Sequence, residues 1–221
     1  MWYFLIVLGW DIVQCGKVAT DRIVQARTLR ERKTYFEIMS TRTHGTMITM
    51  HRTVTLVDPS GKALREADIV EAHTGEGQLH RAFSVYIFDA ERKHLLIQRR
   101  SKTKMLWPLF WANTCCSHPF ENEAPCAAGE RRLQEELGFR AQLHEGPQFT
   151  YQAYDPGGRG VEHEHVTLLI GVVSKQIPLH PDPQEVEEWT WVTIKQLQTD
   201  MRDHPDLYAP WFHLGLQQLL H

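Results

Sequence analysis

Two β-branched and aromatic runs, HRAFSVYIFDA (His80 to Ala90) and HLLIQRR (His94 to Arg100), are separated only by the charged tripeptide Glu91-Arg92-Lys93. Runs of that composition flanking so short a polar break predict a β-hairpin, and it is the central feature any fold of this chain must accommodate. An earlier strand is expected over HRTVTLV (His51 to Val57), closed by the turn residues Asp58-Pro59-Ser60-Gly61. Later strands are expected at Gln148 to Tyr154, Glu164 to Val173 and Glu188 to Val192, with a Pro-rich loop between the last two, from 178 to 183. One convincing amphipathic helix lies among them, over Glu123 to Leu137. Pro125 stands in its first turn and Gly138 just past its end, so both termini are marked. A second helix is expected near Pro210 to His221. The order of elements is α+β, without internal repeat or low-complexity block.

A chain of 221 residues, 42% hydrophobic and 23% charged, buries one core without disulfides. The formal net charge of −3 gives no global attraction for nucleic acid or an anionic membrane, so any affinity for phosphate must come from a local group of Lys and Arg. Cys15, Cys115, Cys116 and Cys126 are too few and too unevenly spaced for a disulfide scaffold, which predicts a reduced, cytoplasmic setting. The apolar start, MWYFLIVLGWDIV, is well short of the roughly 20 residues that span a bilayer, and it lacks the basic start and small-residue end of an export signal. Residues 1–46 are therefore set apart as an N-terminal extension, either unpacked or read from an upstream start codon. Residues 47–221 form the expected domain.

The helix carries ERRLQEELGF, in which Arg131, Leu133, Glu135, Glu136, Gly138 and Phe139 fit the R-E-U-x-E-E-x-G-U pattern, and Glu123 stands eight residues before Arg131. This resembles the Nudix proteins, which bind diphosphates through metal ions held by a Glu-rich helix. One position departs: Arg132 stands where the hydrolases of the family have Glu, which favours holding a diphosphate over cutting it. Read alone, Arg132 and Glu136 are an i,i+4 pair on one helix face, as suited to a surface ion pair as to an anion and a hard cation.

The segment N-T-C-C-S-H-P (Asn113 to Pro119) narrows the resemblance, because it is similar to the active-site cysteine motif of the type I isopentenyl-diphosphate isomerases. Its small-His-Pro ending aligns the family's catalytic cysteine with Cys116 and leaves Cys115 and Cys126 as small buried hydrophobes. The resemblance implies a Nudix-like α+β fold, a mixed β-sheet sandwiched by helices. It implies a divalent metal site of three imidazoles and two carboxylates: His73 and His80 from AHTGEGQLHRAF, His118 beside the cysteine, and Glu162 and Glu164 from V-E-H-E-H. In an extended segment, residues two apart point the same way, so Glu162 and Glu164 can meet one ion while His163 turns away. Such a mixed N/O set suits Mn²⁺, Zn²⁺, Fe²⁺ or Mg²⁺ and lacks the thiolates of a closed structural zinc site.

By the same resemblance, Arg100, Lys104 and Arg132 contact the diphosphate, Glu136 and the main-chain carbonyl of Cys116 hold a Mg²⁺ against it, and Trp211 covers the hydrocarbon end. Many relatives have Lys four residues before the first metal histidine, where this chain has Ile69. The reaction implied is the interconversion of isopentenyl and dimethylallyl diphosphate through a tertiary carbocation. Cys116 serves one face of the alkene; Glu164, near Tyr151, serves the other. No nucleic acid, membrane or second subunit is called for. A nucleoside diphosphate hydrolase and a non-catalytic metal-binding protein on the same fold are the competing readings. Arg132 weighs against the first, and the joint presence of Cys116, Glu164, Tyr151 and Trp211 against the second.

Overall fold

The computed structural model describes residues 52–220; the expected extension 1–46 and its boundary lie outside the described residues. Nine strands form one mixed sheet: β1 (Thr53–Val57), β2 (Ala63–Asp68), β3 (His80–Asp89), β4 (His94–Arg100), β5 (Trp111–Ala112), β6 (Cys115–Ser117), β7 (Leu143–Tyr154), β8 (Val161–Val173) and β9 (Val186–Thr193). Among the described residues four α-helices accompany them: α1 (Ile69–Ala72), α2 (Pro125–Leu137), α3 (Ile194–Asp203) and α4 (Pro210–Leu220).

The predicted hairpin is present, but its two strands stay paired only at the turn, through Ile87↔Leu96 and Phe88↔Leu95. Beyond that they part, and residues 111–117 fill the gap. β5 pairs with β4 there and β6 with β3. Thr114 sits at the fork: its hydroxyl donates to the Leu96 carbonyl at 2.6 Å and accepts from the Ile87 amide at 3.0 Å. On its other edge β3 runs parallel to β8 along its whole length, from His80↔Glu164 to Asp89↔Val173. β8 continues to β7, and β4 to β9, both antiparallel.

Alternation along β3 assigns its two faces. Phe83, Val85 and Ile87 pack with Leu96, Leu169 and the α2 residues Ala128, Leu133 and Leu137. Ala82, Tyr86 and Phe88 pack on the opposite side, with Leu197 and Met201 of α3 and Trp211, Phe212 and Leu216 of α4. The sheet is thus sandwiched by helices, as expected. Gly129 is where α2 comes closest to it, since a Cβ there would lie 2.6 Å from a Leu169 methyl.

α2 begins at Pro125 rather than Glu123. Glu123 is used ahead of the helix, accepting the Phe120 amide and pairing with Arg131, both at 2.8 Å. At the other end Gly138 takes the left-handed conformation, φ 75°, and the Pro-rich loop caps the helix: His180 N–H donates to Leu137 O and Asp182 N–H to Glu136 O, both at 2.9 Å. Two of the terminal carbonyls left unpaired inside the helix are satisfied in this way. The strand expected from Gln148 starts at Leu143, with an irregularity of register between Glu145 and Gln148 around Gly146-Pro147. β2, α1, α3 and the short strands β5 and β6 lack a separate signal in the sequence. No helix among the described residues is long and apolar enough to cross a membrane.

Candidate functional site

The parallel register that puts His80 opposite Glu164 starts the site. His73, at the C-terminal end of α1, is held there by its own carbonyl, which accepts the Val161 amide of β8 at 3.1 Å. His118 follows β6. One ligand atom from each of His73, His80, His118, Glu162 and Glu164 lies within 4.8 Å of all the others. The three rings are 4.6 to 5.4 Å apart by centroids.

Two of the rings are oriented by backbone carbonyls, His73 Nδ1 by Ile69 O at 2.6 Å and His80 Nδ1 by Gln78 O at 2.7 Å. A carbonyl can only accept, so each Nδ1 carries the proton, and in the neutral rings each Nε2 presents its lone pair to the cluster. His80 Nε2 faces His118 Nε2 at 3.1 Å, and Glu164 Oε1 lies 3.1 Å from His118 Nε2. Glu162 Oε2 is buried and lies 2.8 Å from His73 Nε2. Five donor atoms of metal-ligating chemistry, three imidazoles and two carboxylates without a thiolate, fit a divalent cation.

Electrostatics separate the members. Burial would lower the His73 pKa, but the adjacent Glu162 carboxylate outweighs it and raises the value to about 9. His118 is buried and pushed down to about 3 despite its bond to Glu164. Glu164 is itself held below the usual carboxylate range: burial opposes ionisation, and the hydrogen bonds to His118 and His80 prevail.

Glu164 also faces a second environment. Its Oε2 accepts the Tyr151 hydroxyl at 2.8 Å, across the β7–β8 pair Tyr151↔Glu164. Tyr151 stands 6.3 Å from the Trp211 ring, which meets Trp107 edge-on at 5.2 Å and donates its indole N–H to Asn113 Oδ1 at 3.1 Å. Cys116, opposite Ser84 on β3, packs against the same apolar cluster. Burial pushes its thiol up to about 12, with the Arg100 guanidinium opposing. Arg100 Nη1 lies 3.8 Å from Cys116 Sγ, and the guanidinium carbon is 5.2 Å from the Trp211 ring centre. Its remaining bonds fix the loop that carries Trp107, through the carbonyls of Leu106 and Trp107. The buried carboxylate of Asp155 holds the same loop by accepting the Trp107 amide at 2.7 Å.

The other expected anion-binding groups, Arg132 and Lys104, are joined by Glu185. The Arg132 guanidinium donates to Glu136 Oε1 at 2.6 Å, to Glu135 Oε2 at 2.6 Å and to Glu185 Oε1 at 3.0 Å. Lys104 Nζ donates to Glu185 Oε2. Glu136 is 1% exposed, and its second oxygen accepts Gln98 Nε2 at 3.2 Å, so the i,i+4 pair read from the sequence is a buried one. Arg100 is placed with Cys116 and Trp211. Cys115 is buried, Cys126 half-buried, and Ile69 packs on the small apolar cluster of Val54, Leu56, Ala67 and Ala72.

Sequence reasoning missed five residues that shape these clusters: Gln98, Trp107, Asn113, Asp155 and Glu185. Asn113 lies inside the quoted N-T-C-C motif, and its side chain, bonded to Val85 O, Cys115 O and Trp211, is what that motif contributes to the apolar wall. Glu185 had no such signal, being one acidic residue after a Pro-rich loop.

The NUDIX domain family matches residues 78–212. The Isopentenyl-diphosphate Delta-isomerase of Halorhodospira halophila is 40% identical over 165 residues, covering 75% of this chain and 93% of that protein. The enzyme of the same name from Nocardia farcinica is 43% identical over 158 residues, covering 72% and 89%. Among solved structures, the Deinococcus radiodurans protein DR0079 superposes with a TM-score of 0.60 at 15% identity, covering 76% of this chain and 99% of that one, a likeness of fold.

Proposed function

Because the chain belongs to the NUDIX family and, within it, to the isopentenyl-diphosphate Delta-isomerases, we propose that it interconverts isopentenyl and dimethylallyl diphosphate with Cys116 and Glu164 as its proton-transferring pair. The observation that carries this reading is the double placement of Glu164: one carboxylate oxygen stands in the histidine cluster, and the other is on the Tyr151 hydroxyl. Moving the double bond adds one proton to the alkene and removes another from the neighbouring carbon. Cys116 and Glu164 begin in opposite protonation states, a neutral thiol and an ionised carboxylate. A complete shift therefore needs no proton from bulk water while substrate is bound.

The tertiary cation formed between the two transfers would be captured by water. Trp211, Trp107 and Tyr151 are each buried and form the wall that excludes it. Aromatic faces also favour positive charge, although Arg100 already lies near Trp211, so Tyr151 is a second candidate for that contact. His73, His80, His118, Glu162 and Glu164 would hold one divalent ion, Mn²⁺, Zn²⁺ or Mg²⁺, which when bound would supply positive charge that fixes and polarises the Glu164 carboxylate. Glu136 and the Cys116 carbonyl would hold a Mg²⁺ brought with the diphosphate, and Lys104, Arg132 and Arg100 would receive the phosphate oxygens. The reading includes a cytoplasmic monomer acting on a small molecule, with no nucleic acid or membrane partner. The free thiols of Cys115, Cys116 and Cys126 and the net charge of −3 support that setting.

The test is incubation of the purified protein with isopentenyl diphosphate and Mg²⁺, with and without Mn²⁺ or Zn²⁺, followed by an assay of acid-labile diphosphate, since only the allylic isomer ionises readily in acid. Labile product is expected. It should fall by about 10²-fold or more in Cys116→Ala and in Glu164→Gln and survive in Cys115→Ala. No labile product under any of these metals, with phosphate released from nucleoside diphosphates instead, would replace the isomerase by a hydrolase. A dead Cys115→Ala would move the reacting thiol by one residue.

A further inference from the structure

The Lys104 ammonium and the Arg132 guanidinium come together although they carry like charge and both are largely buried, with side chains 14% and 8% exposed. What lies between them is one carboxylate, Glu185, which gives one oxygen to each. We propose that Glu185 is a positioning residue for the diphosphate end of the site, converging Lys104 and Arg132 on one point. The inference rests on the reading that these two cations receive the phosphates.

The backbone around Glu185 is built as a fixed support. Its amide donates to Asp182 O at 2.9 Å, and the Asp182 amide donates to Glu136 O, which ties the turn to the helix that carries Arg132. On the other side the Glu185 carbonyl accepts the Ser101 amide at 3.0 Å, and the hydroxyls of Ser101 and Thr103 donate to Pro183 O and Gln184 O, both at 2.9 Å. Those two residues belong to the loop that carries Lys104. Two segments far apart in sequence are thereby joined through the turn that presents the carboxylate.

Without a negative charge between them, two cations in a poorly solvated place repel and swing toward water. With it, each keeps one direction. The Arg132 donors confirm how narrow that direction is. Of its five N–H groups, four are directed at Glu135, Glu136 and Glu185, which leaves one Nη1 hydrogen for a further acceptor. Glu185 stays ionised to about pH 2, because Lys104 and Arg132 outweigh the effect of burial, so its charge is present throughout the working range.

The opposite role is also physically definite: a carboxylate beside the phosphate site competes with substrate for the same cations. The two roles differ in sign. Positioning predicts that Glu185→Gln raises KM for isopentenyl diphosphate about tenfold and weakens magnesium pyrophosphate binding, measured by calorimetry, by a similar factor, with kcat within about twofold. In a Lys104→Ala background the same substitution should cost clearly less, since Glu185 acts partly through that lysine. Glu185→Asp, which keeps the charge on a shorter arm, should recover part of the loss. A KM and pyrophosphate affinity unchanged or improved in Glu185→Gln would overturn the proposal in favour of competition. If Glu185→Gln fails to fold, the comparison of Glu185→Asp with wild type decides it, an unchanged KM and affinity being the negative result. Should the wild type show no isomerase activity, the functional reading fails separately, and the pyrophosphate titration still reports on Glu185.

Discussion

A histidine protonated to about pH 9 inside the proposed set of metal ligands must lose its proton before its Nε2 can coordinate. Metal uptake at His73 is therefore expected to release about one proton at pH 7.5, and the apparent affinity should climb roughly tenfold per pH unit until pH approaches 9. Titrating metal-free protein in two buffers of different ionisation enthalpy checks this, and equal heats in both would show that the ring was already neutral. For the metal-free fold the sign runs the other way. The raised His73 pKa stabilises it fully below the unfolded value of 6.5, and that contribution is lost as pH rises toward 9. Thermal stability without metal should fall over the same interval in which metal affinity rises. That these five residues gather was legible in the sequence because each sits in a motif, A-H-T, L-H-R-A-F, S-H-P or V-E-H-E-H, and the i,i+2 spacing of Glu162 and Glu164 already puts both on one side of a strand. What was not legible is the inequality among them, a raised His73 against a lowered His118, because it depends on which carboxylate each ring meets after folding.

Between helix α2 and strand β9, the Pro-rich loop both caps the helix and leads to Glu185, so Gly138 governs more than a helix end. A Cβ at Gly138 would lie 2.7 Å from His180 Cβ and 2.9 Å from its carbonyl oxygen, on a residue with φ 75°. Gly138→Ala should cost about 1–3 kcal/mol, a drop of several degrees in Tm. It should also raise KM more than it lowers kcat, because displacing residue 180 disturbs the turn that holds Lys104 and Arg132 in register. A variant with lower Tm and unaltered KM would show that the loop yields without moving Glu185. At this scale the helix was readable from Pro125 and Gly138, whereas the hairpin was readable only in part. Apolar residues facing both sides of β3 and β4 announce buried strands and say nothing about where those strands part. The fork exists because the Thr114 hydroxyl and the Asn113 amide satisfy backbone groups of both strands. Short polar residues inside an aromatic stretch carry no period from which a two- or three-residue strand can be read.

Among the described residues, the three core clusters begin at Val54, and the histidine cluster and the cation cluster lie after it. The NUDIX match begins later still, at residue 78. The strands that precede it have their own use. β1 pairs through Leu56 with His80, and α1, which follows β2, carries His73 in the position where Val161 can bond to its carbonyl. The minimal working unit should therefore start before β1, not at the start of the family match. A chain beginning at His51 is expected to keep the full-length kcat, KM and cooperative thermal transition. One beginning at Gln78 lacks His73, a proposed metal ligand, and should lose metal binding by calorimetry and activity together. If the His51 chain instead folds normally but loses turnover, the N-terminal 50 residues contribute to the site.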